Sequence, residues 1–279
     1  MDGKDSAMDC EGPNLEQHLL PSHSPSAPIF AVPNSQQKSQ RMTPTGISIL
    51  YEDNHLIALN KPAGLLVQGD HTGDVTLEQL VREYIRTDRN KPGDAYLGVA
   101  HRIDRPVSGV VLMAKTSKAL VRLNKMFAER EVEKIYWAVV TKRPAMETGT
   151  LVHWLRKNEE KNMSKAFNKE ERHTKHCELD YRMLVASDNY ALLEVRPKTG
   201  RHHQIRLQLA KMGCSIKGDL KYGAPRSNPD GSVHLHARRI ELEHPVRKEP
   251  LIITAPVPNE NLWKVFSDMV EKGKLDRMP

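Results

Sequence analysis

Apolar and polar residues follow two different periods along this chain, and the points where the period changes predict its elements. Residues 47–51 and 55–59 are short runs rich in branched and aliphatic side chains, separated by Glu52-Asp53-Asn54. They predict two strands and a turn. Asn60-Lys61-Pro62-Ala63-Gly64 then breaks the second strand. Leu77, Leu80, Val81 and Tyr84 recur at helical spacing and predict a helix over 77–86. Residues 97–109 read as loop, and 110–114 as a compact, buried strand. Ser117 is the predicted cap of a helix reaching about Glu129, with Leu120, Leu123, Met126 and Phe127 facing inward. Residues 134–140 alternate as a strand, which places Lys134 and Tyr136 on one face.

Lys, Arg, Asn and Glu dominate 156–176, so a long exposed loop or hairpin is expected there. Residues 178–185 and 190–195 predict two strands paired around Asp188-Asn189. Thr199 is the expected cap of a helix over 200–212, ended by Gly213. Strands are predicted at 235–242 and 251–255, and Asn259 is the expected cap of a last helix reaching Glu271. Strands outnumber helices and are joined by short turns as well as by helices. The expected fold is α+β, with a mixed, largely antiparallel central sheet and flanking helices.

Composition refines this outline. Residues 1–43 are rich in Pro, Ser, Gln and Asn, so they are expected to form a disordered N-terminal tail before a catalytic domain over 44–279. The tail holds three Lys/Arg against five Asp/Glu, so the net charge of +7 becomes +9 on the remainder. A basic folded region favours a polyanionic partner through counterion release. No apolar run approaches the ~20 residues that span a bilayer, and no membrane partner is expected. The three cysteines, Cys10, Cys177 and Cys214, are isolated, which fits a reducing, cytoplasmic setting.

Two clusters concentrate chemistry-bearing side chains. His101-Arg102-Ile103-Asp104-Arg105-Pro106-Val107-Ser108-Gly109 sets one carboxylate between two arginines and turn formers, immediately before a buried strand. Flanking guanidinium groups favour an ionised, oriented carboxylate, as a nucleophile or general base requires. Lys198-Thr199-Gly200-Arg201-His202-His203-Gln204-Ile205-Arg206 puts Arg201 in the first turn of the predicted helix. There it could pair with a distant carboxylate or grip a phosphate, with Arg206 turned elsewhere. A third element, Lys134-Ile135-Tyr136-Trp137, offers an aromatic ring on a strand, either as core or as a stacking surface for a base.

Together these segments resemble the RluA-type family of RNA pseudouridine synthases, and the resemblance extends over about 47–258. The family's His-Arg-Leu-Asp, two variable residues, and Thr-Ser-Gly is matched by His101 through Gly109, with near-isosteric Ile103 and Val107. Its Thr-Gly-Arg-x-His-Gln-Ile-Arg is matched by Thr199 through Arg206. Gly218-Asp219 with Tyr222-Gly223, Leu235 through Arg239 with His244-Pro245, and Asn60 through Gly64 complete five motifs in the family's order. Gln208 departs from the histidine found there in many relatives.

The resemblance implies isomerisation of uridine to pseudouridine in structured RNA, either ribosomal or transfer RNA, with the target base flipped out. It implies no cofactor and no metal. It assigns Asp104 as the catalytic aspartate, Tyr136 as the tyrosine packed on the target base, and Arg201 as the arginine paired with the aspartate. Arg102, His101, Arg105, Ile103 and Gln204 are expected to contact substrate. A monomer is expected, docking RNA through the catalytic domain's own surface, with Arg105, Lys115, Arg122 and residues 157–175 as candidate phosphate contacts.

Other classes fit less well. A kinase catalytic loop needs Asp directly after Arg and a later Asp-Phe-Gly, and neither is present. His173, His176 and Cys177, or His234 and His236, lack a convincing third ligand for a metal hydrolase. A non-catalytic RNA-binding or chaperone protein on the same scaffold is the remaining alternative.

Overall fold

The computed structural model describes residues 41–70, 72–88 and 95–275, which belong to one compact unit. The N-terminal tail expected over 1–43 lies outside the described residues up to residue 40. Among the described residues the strands are β1 (Arg41–Met42), β2 (Ser48–Glu52), β3 (Leu56–Lys61), β4 (Gly98–Val99), β5 (Ser108–Ala114), β6 (Glu133–Val140), β7 (Thr148–Asn158), β8 (Met163–Phe167), β9 (Lys175–Ala186), β10 (Ala191–Pro197), β11 (Leu235–Glu243) and β12 (Pro250–Thr254). The α-helices are α1 (Leu77–Asp88), α2 (Ser117–Ala128), α3 (Gln204–Lys211) and α4 (Asn261–Leu275), with a 3-10 turn at Leu220–Tyr222.

All strands join one sheet in the order β1-β2-β3-β5-β11-β6-β10-β9-β7-β8, with β4 beside β5 and β12 beside β11. The β5–β11 ladder is parallel. The other strand ladders are antiparallel. This is the mixed, largely antiparallel sheet that the hydrophobic pattern predicts.

Strand β5 is buried along its whole length because both faces of the sheet are covered. Val111 and Met113 pack with Leu77 and Val81 of α1 in a core that also holds Ile205 and Leu209 of α3. Val110 and Leu112 face the other way, toward Ala119, Leu123 and Met126 of α2. On that second face, Trp137 and Val139 of β6 meet Trp263, Phe266 and Val270 of α4.

Several boundaries differ from expectation, each for a local reason. The sheet starts at Arg41, inside the tail expected over 1–43. Thr43 is buried, its Oγ1 accepts the Ile47 N–H at 3.0 Å, and the stretch through Gly46 is a hairpin turn rather than a linker. Thr116, one residue before Ser117, caps α2 by accepting the Ala119 N–H. Glu260, not Asn259, caps α4, because its Oε2 accepts the N–H groups of Leu262 and Trp263. The polar segment 156–176 is a hairpin, formed by the end of β7, all of β8 and the start of β9.

Where β5 begins, three features leave little freedom. Gly109 has φ +116°, and a Cβ there would lie 2.3 Å from the Ala237 carbonyl oxygen of β11. Ser108 Oγ lies 2.8 Å from His236 Nδ1 in the interior. His101 Nε2 accepts the Leu112 N–H at 3.0 Å, and its ring packs on Phe127. Gly109→Ala is therefore expected to cost ~3 kcal/mol or more through backbone strain and collision with β11, read as a shift in the denaturant midpoint.

Buried histidines also set an acid limit. Burial pushes His101 and His236 down to about 3 and His234 down to about 4. Between these values and the ordinary 6.5, the unfolded chain binds protons that the folded chain refuses. Stability then rises with pH across this window and falls as pH drops through it, by up to ~1.4 kcal/mol per pH unit for each histidine. The melting temperature is expected to fall steadily from pH 6.5 to 4.5, and a flat profile would contradict neutral burial.

Candidate active site

The loop between β4 and β5 carries Asp104 to the mouth of a cleft. A turn, closed by the Val107 N–H on the Asp104 carbonyl at 3.0 Å, lifts the side chain, while Ile103 and Val107 anchor the loop from within. The break after β3 clamps the same loop. The Gly64 N–H donates to the Arg105 carbonyl at 2.8 Å, and the buried Lys61 Nζ donates to the carbonyls of Pro62, Leu65 and Arg105. Burial pushes the Lys61 ammonium down to about 7, against the pull of the Asp104 charge. Val233, just before β11, donates to the Pro106 carbonyl.

The partner of Asp104 is Arg206. Its Nη1 donates to Asp104 Oδ2 at 3.1 Å, while Nε and Nη2 donate to the two carboxylate oxygens of Asp219 at 2.6 and 2.7 Å. The side chain of Arg206 is 4% exposed and that of Asp219 1%, whereas Asp104 is 28% exposed and open to the cleft. Burial opposes the guanidinium charge. The hydrogen bonds and charge of Asp219, with Asp104 adding to them, outweigh it and hold the Arg206 pKa above its ordinary value.

Arg201, expected in that role, lies elsewhere. Helix α3 starts at Gln204, not at Gly200, because His203 adopts a left-handed conformation with φ 54°. The Gln204 side chain ties the preceding turn together: its Oε1 accepts from Thr199 Oγ1 and the Arg201 N–H, and its Nε2 donates to the Glu178 carbonyl. Arg206 thereby falls in the first helical turn, and Arg201 sits at the exposed rim with its Nε on the His176 carbonyl at 3.1 Å.

His203 is the other neighbour of Asp104, with Nε2 3.6 Å from Oδ2. Its Nδ1 lies 2.8 Å from Tyr222 Oη, which accepts the Ser164 N–H at 2.9 Å. The phenol proton can then go to Nδ1, which places the imidazole proton on Nε2, toward Asp104. Burial, with Arg206 next to it, pushes His203 down to about 2, so the ring is neutral. Tyr136 lines the same cleft from β6, and burial together with the Asp104 charge raises its phenol, which stays protonated.

The cleft has a volume of about 1390 Å³, ample for a nucleotide and its neighbours. Loops 101–107 and 197–206 both line it, and Arg102, Arg130, Lys134, Lys157, Arg201 and Lys221 make its walls basic. Of the expected contacts, Arg102 and Ile103 face this space. His101 and Gln204 also border it, but His101 Nε2 holds the Leu112 N–H and the Gln204 amide ties its own turn to the Glu178 carbonyl. Arg105 is tied to Gly64 and Asp74. Two candidate phosphate contacts have structural partners instead: Lys115 is buried against Glu52, and Arg122 donates to the Pro245 carbonyl.

Known proteins similar to this chain point to one family. The family model described as RNA pseudouridylate synthase matches residues 55–211. The tRNA pseudouridine synthase C of Salmonella typhi is 35% identical over 250 residues, 82% of this chain and 92% of the relative. The ribosomal large subunit pseudouridine synthase C of Rickettsia prowazekii is 34% identical over 212 residues, 75% of this chain and 68% of the relative. Among solved structures, human RNA pseudouridylate synthase domain containing 4 shares the fold at TM-score 0.66 and 23% identity, covering 80% of this chain and 92% of that one. The chain belongs to the RNA pseudouridylate synthase family, in its RluA-type branch.

The two arginines are expected to behave differently. Arg206→Gln strands the buried Asp219 and should cost ~3–5 kcal/mol in denaturant unfolding. Arg201→Gln removes one exposed contact and should stay within ~0.5 kcal/mol.

Proposed function

We propose that this chain isomerises uridine in structured RNA to pseudouridine, with Asp104 as the catalytic carboxylate and Arg206 as the group that holds it. The observation that carries the reading is the convergence of Asp104, Tyr136 and Arg206 on one basic cleft large enough for an extruded nucleotide. The relatives are named for transfer RNA and for large-subunit ribosomal RNA, and these two classes are the substrates proposed here.

The reaction breaks the bond from the ribose to N1 of uracil, turns the base and rejoins it through C5. The base must leave its helix first, since C5 and N1 are shielded inside a stack. Both contacts of Asp104 fall on Oδ2, so Oδ1 remains for the substrate. Addition to the ribose, addition to the base, and proton abstraction leading to elimination all use an ionised carboxylate in this position. Arg206, already paired to Asp219, orients that carboxylate with no rearrangement at the moment of reaction. Tyr136, a neutral phenol, packs on the flipped uracil and holds it while it turns. Ile103 and Leu235 supply apolar wall, which keeps water from the detached base.

Asp104→Asn should abolish tritium release from RNA labelled at C5 of uridine while RNA binding changes by no more than a few-fold. Wild-type release by this variant would reject the assignment. A purely RNA-binding protein would bind the same RNA and release no tritium even as wild type. Mapping pseudouridines in RNA from cells lacking the protein identifies which RNA class is modified.

A further inference from the structure

Beyond the cleft, the β7–β8–β9 end of the sheet carries a row of rings that the isomerisation chemistry does not use. Trp154 of β7 is registered opposite Phe167 of β8 on one side and His176 of β9 on the other. Cross-strand partners share a face, so the three rings form a row across three strands. Arg156 and Lys165 are partners on the same face, and both lie over the Phe167 ring, at 4.8 and 5.2 Å from its centroid. The opposite face is occupied: Leu155 and Cys177 are buried there, and Gln208 of α3 reaches His153 and the Leu151 carbonyl. The ring-bearing face is open, with Arg156, Lys165 and His176 exposed, Trp154 and Phe167 half-buried, and Val152 exposed beside them.

We propose that this face is a stacking platform for a single-stranded segment of the RNA substrate flanking the target uridine. The proposal rests on the reading of the protein as an RNA-modifying enzyme and names a second contact site for the same molecule. Three observations select RNA as the occupant. First, neighbouring strands lie ~4.8 Å apart, so a row across three strands spans about 10 Å and suits two or three stacked bases. Second, Arg156 and Lys165 stand on the ring-bearing face itself, and residues 156–175 as a whole hold seven Lys/Arg against four Glu, a net positive charge that suits a phosphate backbone. Third, the platform meets the cleft at a shared rim, the register from Tyr136 through Val195 and Tyr181 placing the rings on the sheet face opposite Tyr136. Arg201 lines the cleft and bonds the His176 carbonyl, and Lys198, also in the cleft wall, bonds Glu178 and Asp180 on the ring-bearing face of β9. A strand leaving the cleft reaches the rings by turning over this rim onto the other face of the sheet.

The test is a titration of the full chain with single-stranded oligouridine, followed by tryptophan emission. Trp137 and Trp263 are buried, so Trp154 is the indole within reach of RNA. Stacking is expected to quench emission in the wild type, and Trp154→Phe should remove that signal. Trp154→Ala with Phe167→Ala should weaken binding at least about tenfold. Arg156→Gln with Lys165→Gln should lower the salt slope of binding by about one to two. Circular dichroism of each variant checks that the hairpin is retained, and Phe167→Tyr should restore affinity if stacking is what the ring supplies. Unchanged affinity in the ring variants, or oligouridine binding with no change in emission, overturns the proposal. So does sedimentation showing that the wild type is a dimer which the ring variants dissociate, because the face would then be an interface between copies. Tritium release separates the two readings. Quenching without turnover counts against isomerisation and for the platform, and turnover without quenching overturns the platform alone.

Discussion

One buried guanidinium organises this molecule's chemistry. Arg206 is almost fully removed from water, and an ion there is tolerated only if its charge is met and its donors are filled. Asp219, equally buried, takes two donors in a forked pair, and that pair satisfies most of the requirement. The third contact, to Asp104, is made by a group already fixed in place. The more exposed carboxylate thus meets a rigid, charged partner and pays little of the desolvation cost that holds it there. This separation of duties, with Asp219 buried for structure and Asp104 open to the cleft, is what two carboxylates on one arginine allow.

The backbone around this centre is constrained from three directions. Lys61 gathers three carbonyls behind the loop, the Val233 N–H holds Pro106 from the start of β11, and His101 reaches over to the β5 backbone at Leu112. The parallel β5–β11 pairing brings two strand beginnings to the same end of the sheet, so the loops entering both strands converge there. Gly109 permits the close approach of β5 to β11 on which that convergence depends. The position of Asp104 is therefore a property of the sheet, as preorganised catalysis requires.

Much of this was legible in the sequence. The apolar runs located eight of the twelve described strands and all four helices, missing β1, β4, β7 and β8, whose residues are mostly exposed or too few to show a period, and the order of short motifs indicated the family. The loop at 101–109 was recognisable because turn formers and charges crowd together before a uniformly apolar run. The choice between Arg201 and Arg206 was not legible. It turns on the left-handed backbone of His203 and on a glutamine side chain that completes a turn. Propensity favoured Thr199 as a helix cap. In the fold that threonine instead joins Gln204 and Glu178, and the helix starts later. Asp219 stood in a quoted motif, but its burial against Arg206 is a tertiary fact with no local signal. The partners of Lys115 and Arg122 were hidden for a related reason, since a long cationic side chain looks the same in sequence whether it meets phosphate, a buried carboxylate or a backbone carbonyl.

The neutral groups around Asp104 complete the electrostatic logic. Tyr136 is held protonated by burial and by the charge of Asp104, and His203 is held neutral by burial and by the charge of Arg206. The charges bonded together at Asp104 are then its own carboxylate, the Arg206 guanidinium and the buried Asp219 carboxylate, while Arg102, Arg130, Lys134, Lys157, Arg201 and Lys221 line the cleft walls. In the isomerisation proposed above, cleavage of the glycosidic bond leaves the electron pair on uracil, so the detached base is held by the cations of the cleft wall while the shared arginine keeps Asp104 in place.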